Sequence, residues 1–230
     1  LIDTAGIRKR LLGTRSKGRI RSTGVVAIEE EAVRRSLEAI KRADVTLLVL
    51  DITEKVVVQD KRLARQIIDG GSGAIIVLNK FDLVRDKPTR DGRSLEESYE
   101  DYVTGHFPQL TFAPIALTSS TDGNGIRELL PAISRIATAR GQEISETELK
   151  TILEKLNRRL GTPKEKVARR NIRITSMHQS RSLPPEFLIT IGPKAVLPHA
   201  IVPILEDILR ATFDLAGVPI RIHVGTSLLQ

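Results

Sequence analysis

The sequence predicts a mainly parallel α/β sheet followed by a small α+β domain. Three observations carry that reading. The unbroken apolar run at 74–78 reads as a strand covered on both faces, 45–51 as another buried strand and 113–118 as the next strand. Stretches of helical length and period separate them, and strand–helix alternation at this spacing implies parallel pairing through crossovers. Beyond Ala139-Arg140-Gly141-Gln142, which reads as a linker, the order becomes helix, strand, strand, helix, strand. The chain is therefore expected to divide into residues 1–140 and 141–230.

Leu1-Ile2-Asp3-Thr4-Ala5-Gly6 reads as the end of a strand entering a glycine turn, so most of that strand is expected to lie upstream of Leu1. Residues 7–24 are basic, rich in Gly, Ser and Thr, and aperiodic, which predicts a loop. Val26, Val33, Leu37 and Ile40 recur at helical spacing over 25–43. The strand 45–51 is followed by a helix over 58–69 and a strand over 74–78. Polar residues 84–94 lead into a helix over 95–106. The strand Ala113–Thr118 runs into Ser119-Ser120-Thr121-Asp122-Gly123-Asn124-Gly125, after which Ile126, Leu129, Leu130, Ile133 and Ile136 mark one face of a helix over 126–138. In the second domain Ser145, with Glu148 three residues on, forms a capping box for a helix over 145–160. Strands near 171–177 and 186–191, a helix over 198–213 and a strand over 218–224 complete it, with helices on one face of the sheet.

Composition narrows the function. The 230 residues contain no cysteine, which excludes disulfides, thiolate metal sites and cysteine nucleophiles within this stretch. No apolar run reaches transmembrane length. A net charge of +8 points to a polyanionic partner, and the charge is uneven: residues 8–21 hold seven basic and no acidic side chains, and residues 146–230 hold 13 basic against 8 acidic. With two Tyr, five Phe and no Trp, a stacking platform for single strands is not expected. His106, His178, His199 and His223 are scattered without metal-ligand spacing.

The chemistry concentrates in Asn79-Lys80-Phe81-Asp82, which ends the strand at 74–78. Ligands of open α/β sheets bind beyond the carboxyl ends of the strands. A carboxylate placed like Asp82 accepts from the ring N–H and exocyclic amine of guanine together; adenine offers no such pair and would leave it desolvated without partners. Asn79 can bond the base edge and tie neighbouring loops, and the methylenes of Lys80 can cover the ring.

Asp3-Thr4-Ala5-Gly6, Asn79-Lys80-Phe81-Asp82 and Ser119-Ser120-Thr121, in this order at three strand ends, resemble the translation-factor class of P-loop GTPases. The resemblance narrows on Asp3 to Arg10 and on Ala39 to Asp51 to the second GTPase domain of the Der/EngA double-GTPase family. Pro185 to Ile191 and Gly217 to Ile222 are similar to that family's KH-like domain. The fold this implies is a P-loop GTPase-type sheet, truncated at its N-terminus, followed by a KH-like domain.

The resemblance implies that Asp3 holds Mg²⁺ through water and that the Gly6 amide senses the γ-phosphate. It implies that Asn79 and Asp82 read guanine, that Lys80 packs on its plane, and that the Ser119–Ser120 turn offers a backbone N–H to the guanine oxygen. The family usually has Ser-Ala-Lys at that last site, so Ser120 and Thr121 depart from it. Ile7 stands where many relatives carry a water-orienting Gln, which implies the hydrophobic-substituted subgroup, often helped by a monovalent cation such as K⁺. Gly-x-x-x-x-Gly-Lys-Ser/Thr, the phosphate cradle, is absent from the sequence, so this segment alone is expected not to hydrolyse GTP. The second domain lacks the Gly-x-x-Gly clamp of ordinary KH modules; Gly161-Thr162-Pro163-Lys164 fails at its fourth position.

Implied overall is a GTP/GDP-binding factor for assembly of the large ribosomal subunit, a GTPase in the complete protein, whose hydrolysis switches its contacts with ribosomal RNA and the pre-ribosomal particle. An upstream first GTPase domain is implied as an intramolecular partner. RNA-contact candidates are Arg8, Lys9, Arg10, Arg15, Lys17, Arg19 and Arg21 in the loop, and Lys164, Lys166, Arg169, Arg170 and Arg173 in the second domain. The alternative is a catalytically inactive RNA-binding scaffold that retains the GTPase fold. The family's range places the protein in the bacterial cytoplasm or an organelle matrix, and the arginine-heavy loop leans towards an organelle.

Overall fold

The computed structural model describes residues 34, 37–87, 92–160, 174–192, 197 and 201–226. The expected strand end at 1–6, the loop at 7–24, most of the helix expected over 25–43 and the segment Gly161–Lys164 lie outside them. The chain folds as two compact units, residues 1–134 and 135–230.

The first unit is built on a parallel sheet of order β1-β2-β3, with β1 at Val45–Asp51, β2 at Gly73–Asn79 and β3 at Ile115–Leu117. The register sets Leu48 opposite Ile76 and Leu50 opposite Leu78, so these side chains share one face. Helix α1, Val58–Gly70, lays Ala64 and Ile67 on that face, and Val103 and Phe107 from α2, Leu95–His106, and its C-cap join the same core. Burying each large apolar side chain of this cluster stabilises the fold by about 1.5–3 kcal/mol.

Local chemistry sets the ends of these elements. The buried Asp60 carboxylate accepts from the Val57 amide at 2.9 Å and closes the first turn of α1. Gly71 ends that helix in the left-handed region at φ 70°. Ser94 and Glu97 form a reciprocal capping box at the start of α2, which the sequence reading does not single out.

In the first unit the structure differs from the expected elements in β1 and in the helix after β3. Two covered faces hold for β2, whose first six residues are all buried, but not for β1, where Val49 is 57% exposed. Among the described residues β1 pairs with β2 alone, so it has less cover than the central strand. Helix α3 runs through Ile126–Arg140, beyond the expected 138, and takes up half of the expected linker. On its apolar stripe Ile136 is buried, whereas Leu130, at the stripe's edge, is 71% exposed and Ile126 is 40% exposed.

In the second unit, α4 (Glu146–Leu160) starts on the expected capping box: Ser145 Oγ accepts from the Glu148 amide and Glu148 Oε2 accepts from the Ser145 amide. A sheet of order β4-β5-β6 follows, with β4 at Ile174–Ser182, β5 at Pro185–Ile191 and β6 at Arg221–Thr226. β4 pairs antiparallel with β5, and β6 pairs parallel with it after helix α5, Ile201–Phe213. Phe187, Ile189 and Ile191 alternate into a core with Leu149, Ile152 and Leu156 of α4 and Leu205 and Leu209 of α5. Asn157 fixes α4 to β4 by accepting from the Ile174 amide at 3.1 Å and donating to its carbonyl at 2.9 Å.

The last strand starts at Arg221 rather than the expected 218: a turn closed by the Val218 amide on Leu215 O at 3.2 Å precedes the buried residues Val218 to Ile220, and a side chain ties it down. Arg210 Nη1 donates to Leu215 O at 2.8 Å and to Val218 O at 2.7 Å. Arg210→Met keeps the stem but strands these carbonyls, and the expected loss is about 2–4 kcal/mol of unfolding free energy. Urea unfolding checks it: a midpoint unchanged from the parent would mean that water replaces the guanidinium without loss.

Candidate nucleotide site

The site is assembled where β1, β2 and β3 end. Thr118 follows β3 directly; its amide donates to Leu78 O at 2.9 Å, and its carbonyl accepts from the Phe81 amide at 3.0 Å. This prolongs the β2–β3 ladder past the strands and brings Asn79, Lys80 and Asp82 beside Ser119 and Ser120. Lys80 leaves β2 at φ 68°, a left-handed conformation uncommon for a side-chain-bearing residue, and Phe81–Leu83 then form one 3₁₀ turn.

Asn79 ties the two loops. Its Oδ1 accepts from the Ser120 amide at 3.1 Å and from Thr118 Oγ1 at 3.4 Å, and its Nδ2 donates to Ser120 Oγ at 3.3 Å. Both amides of the Ser119–Ser120 turn have acceptors within the protein. The Ser119 amide donates to Asn124 O at 2.9 Å, and the Ser120 amide is taken by Asn79. A guanine oxygen would have to draw the Ser120 N–H from Asn79. Asn79→Ala is expected to release that amide, raising its hydrogen exchange about 5- to 10-fold, the equivalent of one net hydrogen bond. Unchanged exchange, read by NMR, would refute the tie.

Asp82 lies opposite in character. It is half-buried, and its Oδ1 is fully shielded from solvent with no hydrogen-bond partner among the described residues. A buried carboxylate oxygen left without a donor is costly, and native structures seldom tolerate one without a ligand or function.

Two features of the site carry no signal in the four-residue motif. Asp51, the last residue of β1 and the register partner of Asn79, accepts from Thr53 N at 2.9 Å and Thr53 Oγ1 at 2.6 Å through Oδ1. Its Oδ2 meets Lys80 Nζ at 2.5 Å. Partial burial pulls the Asp51 pKa upward, but the bonds from Lys80 and Thr53 prevail and hold it at about 2. The same bond to Asp51 raises that of Lys80.

The second feature is the loop after β3. The Asp122 carboxylate accepts from the Asn124 amide at 3.0 Å, and Arg85 Nη1 reaches it at 3.1 Å from the far side of the motif. These bonds lower the Asp122 pKa, the one from Asn124 most. Gly125 closes the loop at φ 71° against the Leu117 carbonyl. The spacing of turn residues at 119–125 is the only sequence signal for it.

Asp3, Gly6 and the RNA-contact candidates Arg8 to Arg21 and Lys164 to Arg173 lie outside the described residues. Among the described residues no group of three or more His, Asp or Glu could hold a metal, and no helix is long and apolar enough to cross a membrane. A cavity lined by Val103, Phe107, Leu110 and Pro114 includes none of Asn79, Lys80, Asp82, Ser119 and Ser120.

The comparisons with known proteins follow the two units. Residues 31–139 match the elongation factor Tu GTP-binding domain, and residues 143–224 match the KH-domain-like C-terminal domain of EngA bacterial GTPases. Fold and site thus define a GTPase-type α/β domain with an EngA-type KH-like domain behind it. GTPase Der of Lactobacillus johnsonii is 32% identical over 222 residues, covering 96% of this chain and 47% of that protein. GTPase Der of Latilactobacillus sakei gives the same identity and coverage, and that of Natranaerobius thermophilus is 28% identical over 96% of this chain and 46% of its own length. Over nearly its whole length the chain is similar to GTPases of the Der/EngA type, and it spans about half the length of the curated relatives it matches. Among solved structures, the cytosolic domain of the T. maritima FeoB iron transporter in a GDP form has a TM-score of 0.34 at 19% identity, covering 59% of this chain and 50% of that one.

Proposed function

We propose that this chain is the guanine-reading and RNA-facing part of a GTP-binding ribosome-assembly factor, acting on the large ribosomal subunit, whose GTP hydrolysis switches its contacts with ribosomal RNA. The observation that carries the guanine reading is the buried Oδ1 of Asp82 at the carboxyl end of the central strand, which has no partner among the described residues. Guanine's ring N–H and exocyclic amine are a donor pair that a carboxylate can accept. Asn79 holds the neighbouring loop in place, and Lys80 lies beside it. In this reading residues 1–140 serve the nucleotide, and the basic loop at 8–21 together with residues 141–230 faces the RNA. Asp3 and Gly6 serve Mg²⁺ and the γ-phosphate, and K⁺ is a further candidate because Ile7 cannot orient water. Mg²⁺ would neutralise phosphate charge there. The phosphate loop and a first GTPase domain belong to an upstream part of the complete protein.

The RNA part of the proposal rests on the KH-like domain and on the basic excess at 8–21 and 146–230. The test uses the complete polypeptide. GTP is expected to displace labelled GDP at least 100-fold more effectively than ATP, and co-sedimentation with large-subunit particles is expected to differ between a GTP analogue and GDP. Equal competition by ATP would overturn the guanine reading. Particle binding indifferent to nucleotide would favour the RNA-binding scaffold.

A further inference from the structure

We propose that Asp51 is a positioning residue for base recognition, clamping the Lys80 ammonium so that the lysine stem is ordered at the site before nucleotide arrives. The inference rests on the guanine-nucleotide reading above. Its basis is the division of labour between the two carboxylate oxygens. Oδ1 is held by both donors of Thr53, in a turn closed by residues 51–53, which fixes the plane of the carboxylate. Oδ2 is thereby directed at Lys80, which it meets at 2.5 Å. The parallel register makes this possible: Asp51 ends β1 level with Asn79, and the Ile52 amide donates to Asn79 O at 3.0 Å, so the two chain ends are stapled just before Lys80 turns away.

The left-handed backbone at Lys80 supports the same reading. A lysine there is strained unless its surroundings hold it, and strain of this kind collects where a side chain must take one direction. Half of the Lys80 side chain is exposed, at 51%, whereas that of Asp51 is 16% exposed, so the carboxylate is the fixed member of the pair and the lysine the guided one. A free lysine samples many rotamers, and freezing them on binding subtracts from affinity; a stem already clamped avoids that loss at the moment of binding. The Lys80 ammonium is thus paired with Asp51, while the Asp82 charge acts on it only from further off.

The test compares dissociation of fluorescently labelled GDP from the complete polypeptide and three variants. Asp51→Asn keeps an acceptor for Thr53 but removes the charge that holds Lys80, and dissociation is expected to accelerate about 3- to 10-fold with the preference for GTP over ATP unchanged. Lys80→Met keeps an apolar stem without the ammonium and is expected to give a similar acceleration. In the Lys80→Met background Asp51→Asn is expected to add less than twofold, because the two changes break one interaction. Full multiplication of the two effects, an Asp51→Asn rate within twofold of the parent, or an Asp51→Asn chain that does not fold would each overturn the positioning role. A parent that binds GTP no better than ATP would remove the guanine reading and this inference with it; GTP-selective binding without Asp51–Lys80 coupling would overturn this inference alone.

Discussion

Asp82→Asn is expected to weaken guanine-nucleotide binding by about 10²- to 10⁴-fold. Two charge-assisted hydrogen bonds are at stake, each contributing about 1.5–3 kcal/mol, and the sum converts to that range of affinity. The loss has a second half. An asparagine side chain accepts from the ring N–H but presents an amide N–H where guanine presents its exocyclic amine, so donor faces donor. Xanthine carries an oxygen at that position, and the variant is expected to prefer xanthosine diphosphate over GDP. Competition against a labelled nucleotide, with GDP and xanthosine diphosphate as competitors, measures both halves. GDP affinity within threefold of the parent would mean that Asp82 does not touch the base, and the buried oxygen, without a partner among the described residues, would need another explanation.

Gly125→Ala is expected to destabilise the first unit by more than about 3 kcal/mol. A Cβ at this position would sit 2.1 Å from Leu117 O, 3.2 Å from Leu117 C and 3.3 Å from Thr118 Cα. All three are backbone atoms at the end of β3, so none can swing aside as a side-chain tip could. The positive φ of 71° adds left-handed strain of about 1–2 kcal/mol. Gly123→Ala is the control. Its φ of 80° imposes similar strain, but nothing lies within 4 Å of the added carbon, so its expected effect is about 1 kcal/mol. Urea unfolding of both variants reads the difference. Equal midpoints would refute the close approach of the loop to β3. The distinction matters for the site because the loop that Gly125 closes carries Ser119 and Ser120.

Much of this site is legible along the chain because the relevant physics is local. The apolar run from Ala74 to Leu78 has no polar face, so it reads as a central strand, and all five residues are buried. Asn79 ends that strand, and Lys80 and Asp82 follow directly beyond it. Ser145 and Glu148 cap α4 through bonds spanning three residues. The errors also have local causes. Apolar residues at helical spacing mark a stripe on α3, but a stripe alone does not say what covers it, and Leu130 and Ile126 stay exposed. Ala139-Arg140-Gly141-Gln142 looks like a linker, yet Ala139 and Arg140 are good helix formers that simply continue the preceding turns.

The order of strands and helices, the division of labour between an apolar framework and a polar strand end, and the donor–acceptor chemistry of Asp82 follow from the sequence by itself. Each depends on residues within a few positions of one another. What only the tertiary structure decided are the pairings between residues far apart in the chain, and the close approach of one loop to a strand: Asp51 with Lys80, Asn79 with Ser120, Arg85 with Asp122, Gly125 against Leu117. Asp51 reads along the chain as an ordinary strand terminus, and Ser120 as a free turn amide. Parallel register sets the ends of β1, β2 and β3 level, and these groups become partners only there. Hydrogen bonds and ion pairs fall off over a few ångströms, so their partners are chosen by the folded backbone and not by proximity in sequence.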